Sequence, residues 1–76
     1  MTANNGLRPS QRRAEMAAGA YLTDKGYPDA RAVGAEPIGE RGWVVTYRLD
    51  EGDAQIEVSR DEAGIWLWRV VRFTPA

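Results

Sequence analysis

Along the first third of the chain, apolar residues recur at helical spacing. Ala14, Ala17, Ala18, Tyr21 and Leu22 fall at i, i+3, i+4, i+7 and i+8, a single stripe on an α-helix. The segment PSQRRAEMAAGAYLTDKG supplies both ends of that helix. Ser10 stands where its hydroxyl can accept from a first-turn backbone N–H. Gly26 follows Lys25 and suits a left-handed C-terminal cap, and Pro28 prevents continuation. Arg12 and Arg13 lie near the start, where the helix dipole disfavours cations. The stripe is mostly alanine, so the helix cannot hold itself together alone. It must lie close against a sheet, with Tyr21 and Leu22 supplying most of the contact.

From Ala30 the apolar period drops to two. Strands are expected at 31–38, 43–49, 54–60 and 65–73, joined by GERG, DEGD and DEAG. Connections this short make consecutive antiparallel hairpins. The expected fold is α+β, with one N-terminal helix packed on a four-stranded antiparallel meander sheet. Residues 10–74 form this single domain, and residues 1–9, which hold Asn, Gly and Thr and, after Met1, only Leu7 as a sizeable aliphatic side chain, are expected to be a disordered tail.

The middle hairpin assigns the faces. With Glu51-Gly52 as a two-residue loop, or Asp50–Asp53 as a four-residue one, Leu49 pairs with Ala54, Tyr47 with Ile56 and Val45 with Val58, and Trp43 joins the same side. Thr46, Arg48, Gln55, Glu57 and Ser59 make the opposite side polar. The helix must cover the first face.

Strand four, within GIWLWRVVRF, lacks a water face. DEAG fits a type I turn followed by left-handed Gly64, a three-residue loop with a bulge. That register places Val58 beside Trp68, Ile56 beside Val70 and Glu57 beside Arg69. Trp66, Trp68 and Val70 then join the core, while Ile65, Leu67, Val71 and Phe73 stay outside. A four-residue loop would reverse every side chain and drag Arg69 beneath the helix. Burying an unpaired guanidinium is expensive, so the bulged loop is preferred. In either register one apolar row faces away from the helix. A contiguous apolar patch of that kind marks an interaction site.

Composition narrows the chemistry. The chain has 76 residues and no cysteine or histidine, so zinc, haem and iron–sulfur sites lack their usual ligands. Disulfides, Ser-His-Asp and Cys-His systems are impossible within it. No cofactor is expected. Ten basic and eleven acidic side chains nearly cancel, which argues against a dedicated nucleic-acid or anionic-membrane binder. Nine of the ten cations are arginine, a bias typical of GC-rich bacterial genomes. No apolar run is long enough to span a bilayer and no signal-peptide core is visible, so a cytoplasmic protein is expected.

Other motifs carry less. Asp50, Glu51 and Asp53 lack the further spaced ligands of a calcium loop. Glu57 with Glu36 or Asp61 would need a cleft to act on a glycosidic bond. GERG and GAEPIG are hairpin glycines without phosphate-cradling spacing. Aromatics on a small sheet with Arg48, Arg69 and Arg72 nearby would suit single-stranded nucleic acid, but Glu57 and the acidic tips stand against it.

Gly42, Trp43, Val44 and Tyr47, then Asp61 and Gly64, follow a helix in an order that resembles two groups of small bacterial proteins. One is the YrhB-like immunity proteins, in which a Gly-Trp-Val segment opens a strand after an N-terminal helix. The other is the O-type gas-vesicle accessory proteins, whose pattern has a longer insertion than DEGD between the middle strands. The resemblance implies no catalytic residue, and implies a protein that works by binding another protein.

The expected function is therefore a non-enzymatic protein-binding module of inhibitor, immunity or adaptor type. It would dock through the outer face or edge of its sheet, with Ile65, Leu67, Val71 and Phe73 in contact and Arg48, Arg69 and Arg72 as a charged rim. The alternative partner is a second copy in a homodimeric scaffold.

Overall fold

In the computed structural model, which describes residues 8–75, Ser10 Oγ accepts from Arg13 N–H at 3.2 Å and α1 runs Gln11–Asp24. At the other end Gly26 takes φ 102°. Tyr27 N–H donates to Leu22 O at 2.8 Å and Gly26 N–H to Thr23 O at 3.1 Å, the paired bonds of a Schellman cap. Ala14, Ala18 and Leu22 are buried, and Ala17 and Tyr21 are half-buried beside them, as the stripe predicts.

Four strands follow: β1 Arg31–Ile38, β2 Gly42–Leu49, β3 Gly52–Arg60 and β4 Trp66–Pro75. They pair antiparallel in the order β1-β2-β3-β4, which makes the fold the α+β meander that was expected. Residues 1–7 of the expected tail lie outside the described residues. Arg8 and Pro9 of that tail are placed: Pro9 is buried and its carbonyl accepts from the Trp43 indole N–H at 2.8 Å.

The middle hairpin differs from expectation by two residues. Leu49 faces Gly52, Tyr47 faces Ala54, Val45 faces Ile56 and Trp43 faces Val58. The turn is only Asp50-Glu51, because Gly52 takes φ 145° and lets the chain reverse sooner. A shift of two preserves which face each side chain takes. The core is accordingly Val45, Tyr47, Ala54, Ile56 and Val58 against the buried residues of α1.

The β3–β4 connection is the bulged loop. Gly64 N–H donates to Asp61 O at 3.0 Å with Gly64 at φ 84°, and Asp61 N–H donates to Ile65 O at 3.0 Å. Asp61 Oδ1 accepts from the N–H groups of Ala63 and Ile65, both at 2.9 Å. Val58 faces Trp68, Glu57 faces Arg69 and Ile56 faces Val70, so Arg69 stays on the outer face.

A second irregularity lies further along β4. Ile56 faces Val70 but Gln55 faces Arg72, which leaves Val71 as the extra residue of a β-bulge. Beyond it, Phe73 faces Ala54 and lies on the helix side of the sheet, not in the outer row where unbroken alternation placed it. The physical reason is Arg72. Strict alternation would turn its guanidinium toward the helix side, and the bulge returns it to the outer face.

Trp68 and Val70 correct the expectation in another way. Both point to the helix side, yet both are exposed. The helix lies over the buried residues of β2 and β3 and reaches β4 chiefly through Ala17 and Tyr21. Gly19 sets its depth: a Cβ there would sit 3.2 Å from the Tyr47 hydroxyl.

Candidate functional site

β4 is apolar on both sides and incompletely covered on both. Ile65, Leu67, Trp68, Val70, Val71 and Phe73 are each between 42% and 57% exposed. Leu67 stands on the outer face opposite Ser59, and Ile65 immediately precedes the strand, its N–H held by Asp61. Val71 occupies the bulge. Trp68, Val70 and Phe73 extend the apolar surface onto the helix side, where sequence reasoning placed buried groups or none. The signal available for that second row was the shortness of the alanine stripe, which cannot shelter a full strand of large side chains.

Two tryptophans tie the ends of the sheet to the helix region by their polar tips. Trp68 Nε1–H donates to Ala17 O at 3.1 Å, and its ring stacks on Tyr21. Trp43 Nε1–H bonds to Pro9 O as described, and the Arg8 guanidinium lies 5.9 Å from the Trp43 ring centroid. These bonds let indoles sit at the margin of the core without orphaned donors.

The arginines fall into distinct settings. Arg69 donates to Glu57 Oε1 from Nε at 3.2 Å and from its terminal nitrogen at 2.5 Å. Arg48 lies on β2 and contacts Asp53 at 3.4 Å, with β3 between it and β4. It therefore borders the polar face and not the β4 row. Arg72 faces Gln55 on the outer side, exposed, with no carboxylate in ion-pair range among the described residues. Arg60, at the end of β3, lies 5.5 Å from the Trp66 ring centroid, and its Nε is buried without a hydrogen-bond partner. Arg13, Met16, Ala17, Arg60 and Trp66 line a shallow cavity of about 430 Å³ beside the start of β4.

The buried tyrosine has a structural role. Tyr47 O–H donates to Glu15 O within α1. Burial, and next the negative charge of Glu15, push its pKa up to about 12, although the Gly19 N–H opposes the rise. The hydroxyl is thus held protonated, the opposite of what a general base near neutral pH requires. Of the acidic run, Asp50 and Glu51 form an exposed turn and Asp53 faces Arg48. Glu57 is engaged by Arg69, and Asp61 is spent on its own loop.

Compared with known proteins, the chain matches no family model, no curated protein and no solved structure. Among the described residues, no helix is long and apolar enough to cross a membrane.

Proposed function

We propose that the chain is a non-enzymatic protein-binding module, of the inhibitor, immunity or adaptor kind, that docks its partner along β4. One observation carries the reading: β4 exposes large apolar side chains on both of its faces, more of them than any other strand. Exposed apolar side chains gathered in one strand favour association, because covering them releases their hydration water. Arg69 and Arg72 border the row and supply orientation.

The test is capture of the partner from the cells that make the protein, comparing the native chain with Leu67→Glu and Val71→Glu. Both variants should keep their circular dichroism spectrum and lose the partner. Capture that persists with the fold intact would place the docking surface elsewhere. Sedimentation over a concentration range addresses the self-association alternative, since a chain that stays monomeric at high concentration has no homodimeric use for β4.

A further inference from the structure

We infer that the partner joins β4 by strand addition, as an extended segment carrying acidic side chains among apolar ones. This rests on the docking reading above and deepens it by naming the binding mode and the partner's chemistry.

The backbone points that way first. The bond from Asp61 N–H to Ile65 O fixes the hydrogen-bonding alternation of the β3–β4 hairpin. Ladder bonds to β3 then fall at Leu67 and Arg69, and the N–H and C=O groups of Trp66, Trp68 and Val70 turn to the open side. β4 ends the sheet, so among the described residues no strand meets those groups. The opposite edge is poorly suited to the same use. In β1, Pro37 offers no N–H and a register shift falls between Ala32 and Gly34.

Charge then selects the occupant. β4 contains two arginines and no acidic residue. Arg69 is paired with Glu57, whereas Arg72 and Arg60, which ends β3 opposite Trp66, have no carboxylate in ion-pair range among the described residues. A second copy paired antiparallel about Arg69, a register that joins the open groups of Trp68 and Val70, would set Arg69 against its own copy, and directly opposed like charges destabilise a strand pair. An acidic, partly apolar strand answers both the charges and the exposed rows. A single-stranded nucleic acid answers the charges but has no peptide ladder to match the edge.

The test uses the full chain and two synthetic peptides of about ten residues, one alternating valine with glutamate and one alternating valine with lysine. Tryptophan fluorescence reports binding, and amide hydrogen exchange reports the edge. The glutamate peptide should saturate the fluorescence change and protect the amides of Trp66, Trp68 and Val70. Arg72→Glu should weaken it about tenfold or more. Val70→Pro should abolish it by removing an edge donor that β3 does not use. If that variant unfolds, Arg72→Glu and the exchange pattern still decide. Equal binding of the lysine peptide, binding without amide protection, displacement by oligothymidylate, or self-association that protects the same amides would each overturn the inference. If neither peptide binds while partner capture still depends on Leu67 and Val71, strand addition is wrong and docking stands. If capture is also indifferent to those residues, both fall.

Discussion

The rings of Tyr21 and Trp68 are stacked, with centroids 6.1 Å apart and planes inclined by 16°. Together with the Trp68 bond to Ala17, this stack is the main tie between α1 and the last strand. Tyr21→Ala should therefore lower stability by about 1–3 kcal/mol, in the range for losing an aromatic pair and its buried area. Its signature is local: amide exchange in β4 should accelerate more than in β2. Uniform acceleration across the sheet would show that the stack does not govern β4 in particular.

Gly19 and Tyr47 make a coupled pair. Alanine in a helix interior ordinarily gains about 1 kcal/mol over glycine. Here the new Cβ would press on the Tyr47 hydroxyl at 3.2 Å. Gly19→Ala should consequently fail to stabilise the chain in urea denaturation. In the Tyr47→Phe background, which removes that oxygen, the same change should recover most of the propensity gain. Additive effects in the double-mutant cycle would refute the coupling.

Tyr47 also predicts an alkaline limit. Its folded pKa of about 12 exceeds the ordinary 10.0, so the fold favours the protonated phenol. The corresponding stability is fully present below pH 10 and is lost as pH rises from about 10 to 12. Denaturation midpoints measured across that window should fall more steeply for the native chain than for Tyr47→Phe. Parallel curves would assign the loss to other groups.

Val71 is the extra residue of the β4 bulge. Deleting it leaves Gln55 opposite Arg72 and Ala54 opposite Phe73, only without the interruption. The deletion should cost less than about 1 kcal/mol, within the range of changes that disturb no core group. Cross-strand contacts by NMR should report the same pairs. A large loss of stability, or Phe73 moved to the outer face, would show that the bulge is needed to set the register.

The helix and the strand order were legible because their signals are local. Ser10, Gly26 and the alanine stripe define α1, and Asp61 with Gly64 defines the last hairpin, whose register the burial cost of Arg69 then selected. The middle hairpin was legible only in its faces. A shift of two residues leaves Val45, Tyr47, Ile56 and Val58 equally buried, so the pattern could not see the early reversal at Gly52. The bulge at Val71 left one trace, the position of Arg72, which alternation alone would have turned toward the helix. The exposure of Trp68 and Val70 depends on where the helix crosses the sheet, a tertiary fact with no local signature. Of the candidate site, the apolar row of Leu67 and Val71 was readable, while Phe73 changed sides and Arg48 proved to be two strands away.

The central claim, that β4 is the docking surface, is tested most directly by site-specific photocrosslinking in the cells that make the protein. A photoreactive side chain at Leu67 or at Val71 should trap one and the same partner on illumination. The same group at Glu40, in the turn between β1 and β2, should trap nothing. Adducts from Glu40 but not from Leu67 or Val71 would contradict the account.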